Sequence, residues 1–186
     1  SMDEFRLIDR LLRRRGARVS GVRVGPGDDA AVLRAPSDTE IVVTTDAQIE
    51  RIHFEWDWIS PADVGYRAAM ACHSDLAAMG ARPWTAFSSL AIPSDMQPSR
   101  VTAVHRGLHR ALAELGAALG GGNVARAADT FSLTLTAIGL VPCGRAAKRS
   151  GARPGDSIWC SGHPGYAARG LQELAAGRRR SAAGRA

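Results

Sequence analysis

Acidic side chains at three separate points of the chain are the groups best suited to carry chemistry: Asp29, Asp46 and Asp75. Asp29 follows a turn that contains two glycines and a proline, and Asp75 lies in an alanine-rich helical segment. Asp46 directly follows Thr44 and Thr45, whose oxygens could join it. Carboxylate oxygens, together with water and substrate phosphates, are the ligands that Mg²⁺ prefers. Taken together, these residues suggest a site for a hard cation.

Each of these acids also has an ordinary structural interpretation. Asp29, with its neighbour Asp28, could form a simple turn pair, and Asp46 could close an Asx turn at the end of a strand. Asp75 could be exposed. If it is buried, it needs a cation or a donor from elsewhere in the fold, since positions 71, 72, 78 and 79 hold no basic residue and an uncompensated buried charge is costly. Both interpretations stay open at this stage.

A second candidate for phosphate binding is the glycine-rich segment Leu119-Gly120-Gly121-Gly122-Asn123. Backbone N–H groups of such turns can point at anions, although the segment could equally be a flexible connection between a helix and a strand. Lys148 is the only lysine, and it lies between Ala147 and Arg149. A phosphate-binding loop of the Gly-Lys-Ser/Thr type is therefore excluded.

Composition and charge exclude several classes of protein. The 186 residues are 45% hydrophobic and 23% charged, which is typical of a globular domain. No apolar run approaches the length of a membrane span. The net charge is +6, with arginines concentrated near the C-terminus, and no aromatic and basic platform accompanies it, so nucleic-acid binding is disfavoured. Three separated cysteines, Cys72, Cys143 and Cys160, favour reduced thiols and a cytoplasmic location.

The hydrophobic pattern predicts an alternation of helices and strands. Ser60 and Pro61 mark the start of a helix that runs to about Met79, and Gly80 and then Pro83 mark its end. Pro98 or Ser99 marks the start of another helix. The predicted helices are 3–15, 61–79, a second long helix that starts at 98 or 99, and 165–176. The predicted strands are 41–45 (ending at Asp46), 85–92, 131–141 and 157–161. Amphipathic strands in this order favour an α+β fold with a mixed or antiparallel sheet covered by helices on one face.

Five segments, in this order, resemble the motifs of thiamine-monophosphate kinases, which belong to the aminoimidazole ribonucleotide synthetase-like superfamily. The match runs from Glu4 to Leu171. The third motif is highly specific. The segments are Gly25-Pro26-Gly27-Asp28-Asp29-Ala30-Ala31-Val32-Leu33; Thr44-Thr45-Asp46 with His53-Phe54; Gly65-Tyr66-Arg67-Ala68 leading to Ser74-Asp75-Leu76-Ala77-Ala78-Met79-Gly80-Ala81-Arg82-Pro83; Gly121-Gly122-Asn123 with Arg126 and the strand to Val141-Pro142; and Arg149-Ser150-Gly151-Ala152-Arg153-Pro154-Gly155-Asp156.

The resemblance implies a reaction and a set of site residues. The reaction is the Mg²⁺-dependent transfer of the ATP γ-phosphate to thiamine monophosphate, which gives thiamine diphosphate. His53 would touch the substrate, and Gly122, Asn123 and Arg149 would bind ATP. The implied metal ligands are Asp29, Thr44, Thr45, Asp46, Asp75 and Asn123. Asn123 stands where the family has aspartate, so its uncharged amide would hold a metal ion more weakly.

The resemblance also implies a domain organisation. Residues 1–145 would form an N-terminal metal- and nucleotide-binding domain whose sheet packs against that of a second copy, giving a barrel across a homodimer. Residues 146–176 would be a linker and the first strand and helix of a truncated C-terminal domain, and 177–186 a disordered tail. Whether the chain is an active enzyme is left open. The alternatives are a non-catalytic dimeric nucleotide-binding or assembly module, and a related enzyme on another substrate that a partner chain completes.

Overall fold

The computed structural model describes residues 7–8, 10–11, 19–26, 29–160 and 162–177. The chain divides into two compact units, Ser1–Lys148 and Arg149–Ala186. Of the predicted helix 3–15, only four residues lie within the described part; these are helical, and Leu7 and Leu11 are buried as the pattern predicts. The prediction for the tail falls almost wholly on residues outside the described part.

The first unit contains a four-stranded mixed sheet and two long helices. In chain order its elements are β1 Val22–Val24, β2 Val32–Leu33, β3 Thr39–Ile49, α1 Pro61–Ala78, β4 Arg82–Pro93, α2 Pro98–Glu114, β5 Ala118–Ala127 and β6 Ser132–Pro142. The sheet has the order β3-β6-β4-β5, in which β6 is antiparallel to both β3 and β4, and β5 runs parallel to β4. Strands β1 and β2 form a separate antiparallel pair.

Both helices of this unit contribute to a hydrophobic core that they share with β6. The side chains of Leu133, Leu135 and Ala137 alternate along β6 and are fully buried. Leu135 packs in one cluster with Cys72 of α1, Leu112 of α2 and other buried side chains. The prediction of an α+β sheet with helices on one face is confirmed, because an amphipathic strand must bury its apolar side.

Helix α1 begins and ends where its sequence predicts. The backbone N–H of Asp63 donates to the Ser60 hydroxyl at 3.2 Å, so Ser60 is the N-cap. Gly80 follows the helix with a φ of 71°, a left-handed conformation that glycine adopts at no steric cost. The N-cap and the glycine together fix the position of Asp75 near the C-terminal end of α1.

Two of the predicted elements of the first unit differ from the structure. Strand β3 does not end at Asp46 but continues to Ile49, because it pairs with β6 along its whole length. The glycine-rich segment 119–123 is not a loop but part of β5, which pairs with β4 through backbone hydrogen bonds. Glycine is rare in strands, so the local pattern could not predict this pairing.

The second unit contains a short 3₁₀ turn, Arg149–Gly151, and helix α3, Tyr166–Ala175. The structure confirms the predicted helix but not the predicted strand at 157–161. Residues 157–160 pair with no strand among the described residues, and Ser161 lies outside them. Across the described part of the chain, the helices lack the length and apolar character that crossing a membrane requires.

Candidate functional site

Two candidate residues from different motifs meet where β3 passes α1. The hydroxyl of Thr44 donates a hydrogen bond of 2.8 Å to Oδ2 of Asp75. Thr44 lies opposite Ala137 in the sheet register and therefore shares the face that the helices cover. Asp75 is exposed, so its charge remains hydrated. Asp75 thus has a hydrogen-bond donor from a distant part of the chain, the Thr44 hydroxyl, although it is not buried.

Asp46 lies two residues further along the same face of β3. Its Oδ1 accepts a 2.7 Å hydrogen bond from the N–H of Ala47, and its register partner is the buried Leu135. The nearby thiol of Cys72 donates to the carbonyl of Leu135 at 3.3 Å. Burial is the main cause that raises the pKa of Cys72 to about 11, and the charges of Asp46 and Asp75 contribute to the rise in the same direction. Both carboxylates therefore act on one buried thiol.

A cleft of about 920 Å³ lies along β5 and receives other candidate residues. Asp29 enters it from the segment before β2, and Gly122 and Asn123 line it from β5. Thr134 and Thr136 add hydroxyls from β6. These two alternate with buried leucines on β6, so they belong to the sheet face away from the helices.

Thr45 points to the face opposite that of Thr44, as successive residues of a strand do. Its hydroxyl donates to the carbonyl of Leu135 at 3.2 Å and accepts from the hydroxyl of Thr136 at 3.3 Å. Since Thr136 lines the cleft, Thr45 is one hydrogen bond away from it.

The candidate metal ligands thus fall into two groups. Thr44, Asp46 and Asp75 lie at the junction of β3 and α1. The second group belongs to the cleft: Asp29 and Asn123 line it, and Thr45 is hydrogen-bonded to its lining residue Thr136. Within the described residues, no three acidic, histidine or cysteine side chains come close enough together to hold one ion. The donors in both groups are oxygen atoms, which is the chemistry that a magnesium ion requires.

The glycines of β5 have a packing reason. An added Cβ at Gly122 would lie 2.6 Å from the carbonyl oxygen of Ser88, and one at Gly120 would lie 2.7 Å from Oγ1 of Thr85. A side chain at Gly122 would have to displace the backbone of β4, and one at Gly120 would have to displace the side chains of Thr85 and Phe87. The same two positions line the cleft, so its wall there is bare backbone.

His53 lies in the turn that follows β3, and the turn holds its side chain. The backbone N–H of Ile49 donates to Nδ1 of His53 at 3.1 Å, and a guanidinium N–H of Arg67 donates to the carbonyl of His53. Arg149 is exposed and starts the 3₁₀ turn of the second unit.

Sequence reasoning missed two residues of this region, Cys72 and Arg67. Cys72 precedes Asp75 by one helical turn, and this spacing could have placed it near the carboxylate. Arg67 lies in the third motif but gives no local signal of its bond to the His53 carbonyl, because the two residues are 14 positions apart.

Comparison with known protein families gives a match over most of the first unit. Residues 27–141 match the family described as AIR synthase related protein, N-terminal domain. The chain is also similar to the thiamine-monophosphate kinase of Bacillus subtilis, with 38% identity over 173 residues, which is 93% of this chain and 53% of that protein. The chain thus spans about half the length of the curated relatives it matches.

Solved structures show the same similarity. The thiamine-monophosphate kinase of Stenotrophomonas maltophilia aligns with a TM-score of 0.78 and 34% identity, covering 94% of this chain and 52% of that one. A structure described as "AaThiL complexed with AMPPCP and TMP" aligns with a TM-score of 0.73 and 28% identity, covering 97% and 57%. The resemblance inferred from the motifs and the predicted α+β fold are therefore confirmed.

Proposed function

We propose that this chain, which belongs to the AIR synthase related protein family through its N-terminal domain, performs the chemistry of a thiamine-monophosphate kinase. The reaction is the Mg²⁺-dependent transfer of the γ-phosphate of ATP to thiamine monophosphate. The observation that carries the proposal is the hydrogen bond between Thr44 and Asp75, which joins two motifs that lie 31 residues apart.

The proposed metal ligands are oxygen donors in the two groups described above, namely Asp29, Thr44, Thr45, Asp46, Asp75 and Asn123. Magnesium would neutralise the charge of the nucleotide's phosphates and orient them, which is most of what phosphoryl transfer requires of a protein. Gly122, Asn123 and Arg149 would hold ATP, and His53 would contact thiamine monophosphate. Bare backbone at Gly122 is suited to this, since it leaves room for a phosphate chain beside β5.

We also propose a cytoplasmic homodimer. Ile41 and Val43 are exposed on the face of β3 away from the helices, with exposed fractions of 53% and 58%. An apolar sheet face of this kind is suited to packing against the same face of a second copy.

The experiment is an assay for thiamine diphosphate after the purified chain is mixed with Mg²⁺, ATP and thiamine monophosphate. We expect product from the wild type, no product without Mg²⁺, and a rate about 100-fold lower for Asp75→Asn. Asp95→Asn, which alters an exposed acid in the turn before α2, is the matched control and should retain the wild-type rate. Equal rates for Asp75→Asn and the wild type would contradict the proposed role of Asp75.

The alternatives to the kinase are a non-catalytic dimeric nucleotide-binding or assembly module, and a related enzyme on another substrate that a partner chain completes. Magnesium-dependent ATP binding without formation of thiamine diphosphate would favour these over the kinase.

A further inference from the structure

The turn that carries His53 is held by several hydrogen bonds. Ile52 and His53 both donate their backbone N–H to the carbonyl of Ile49, at 3.2 and 2.8 Å. Arg51 donates its own N–H to the carbonyl of Phe54 at 2.8 Å. Arg51 has a φ of 66°, a left-handed conformation that costs a non-glycine residue energy and that the surrounding bonds must maintain.

This turn fixes the tautomer of the His53 ring. The N–H of Ile49 donates to Nδ1, so Nδ1 must be an acceptor. In a neutral imidazole the proton then resides on Nε2, which becomes a hydrogen-bond donor. The His53 side chain is exposed, so this N–H can reach a solute.

Two arginines support the turn from opposite directions. Arg67, on α1, donates to the carbonyl of His53. The side chain of Arg51 bonds to the hydroxyl of Thr130 and to the carbonyl of Asp129, in the connection between β5 and β6. The turn is therefore bonded both to helix α1 and to the connection between β5 and β6.

We propose that Arg67 is a positioning residue for the acceptor substrate: it holds the His53 turn so that Nε2–H donates to an anionic oxygen of a phosphorylated acceptor. This inference rests on the proposed function, and it assigns a role to Arg67 that the motif resemblance does not give. Arg67 acts through the His53 carbonyl. Arg51 maintains the same turn from its other side.

The first test is independent of activity and uses ¹⁵N NMR of the histidine rings. A His53→Gln variant identifies the His53 signals among the five histidines of the chain. We expect the wild type, at alkaline pH, to show an acceptor Nδ1 and a protonated Nε2. We expect Arg67→Met to give a mixture of tautomers and Arg67→Lys, which keeps a donor, to restore the wild-type pattern. An unchanged pattern in Arg67→Met would overturn the role of Arg67.

The second test adds thiamine monophosphate to the same samples and then measures kinetics. We expect the Nε2 signal of His53 to shift on addition, and Arg67→Met to raise the KM for thiamine monophosphate about tenfold with the KM for ATP unchanged. Equal effects on both substrates would assign Arg67 a merely structural role and overturn the proposal. If the wild type forms no product, the kinase proposal fails. The addition of thiamine monophosphate then decides the role of His53, because an unchanged Nε2 signal would contradict a hydrogen bond from His53 to the acceptor.

Discussion

Two carboxylates from different elements influence one buried thiol, and this is the most informative feature at the scale of single residues. Asp46 on β3 and Asp75 on α1 both raise the pKa of Cys72, whose burial is the larger cause. A buried thiol ionises less readily when two carboxylates lie nearby, because its thiolate is poorly hydrated and is repelled by their negative charges. Cys72 therefore reports on the electrostatics of the candidate metal site without being one of its ligands.

We predict that Cys72 is unreactive in the native protein. With a pKa of about 11, roughly one thiol in a thousand is ionised at about pH 8, and the thiolate is the reactive form. Titration with a chromogenic disulfide reagent should modify the exposed Cys143 and Cys160 rapidly and Cys72 only after denaturation. Cys72→Ala should leave the native titre unchanged and lower the denatured titre by one thiol. Rapid reaction of Cys72 in the folded protein would contradict this prediction.

At the scale of elements, helices α1 and α2 touch through backbone. An added Cβ at Gly65 would lie 1.9 Å from the carbonyl oxygen of Val104, and one at Gly107 would lie 1.6 Å from that of Ala62. These glycines permit the close approach that brings both helices onto the sheet, and α1 in turn places Asp75 beside Thr44.

We predict that Gly107→Ala lowers the free energy of unfolding by about 3 kcal/mol or more, because the methyl group forces the two helices apart. The measurement is urea denaturation followed by circular dichroism. Gly151→Ala is the matched control, since a Cβ there would meet nothing within 4 Å. A Gly107→Ala protein as stable as the control would show that the helices can separate at little cost.

At the scale of the whole molecule, the exposed apolar residues of β3 bear on the proposed dimer. Ile41 and Val43 lie on the sheet face away from the helices, opposite Leu140 and Ile138 of β6. Exposed apolar side chains grouped on a strand usually mark an interaction surface.

We predict that the chain sediments as a dimer at about 10 µM and that Val43→Glu makes it a monomer, because a charge cannot be buried in the interface without a partner. Val32→Glu is the matched control: Val32 is also exposed, at 51%, but belongs to the separate β1–β2 pair. A wild type that sediments as a monomer would contradict the dimer, and an equal effect of both variants would contradict the interface.

The sequence by itself determined the elements whose signals are local. The N-cap Ser60, the helix-ending Gly80 and the alternation along β6 depend on neighbours a few residues away, and each was predicted from that neighbourhood. Residue types and positions suggested Asp29, Asp46 and Asp75 as a cation site, and the motif resemblance added His53 and Arg149. Neither source contains distances.

Only the tertiary structure decided where those residues meet. Strand β3 continues beyond Asp46 because it pairs with β6, and the glycines at 120–122 form a strand because they pair with β4. The hydrogen-bond partners in both cases come from distant parts of the chain. The bond from Thr44 to Asp75 and that from Arg67 to His53 likewise depend on how α1 packs beside β3. Contacts between residues far apart in sequence arise from the packing of whole elements, and no local pattern encodes them.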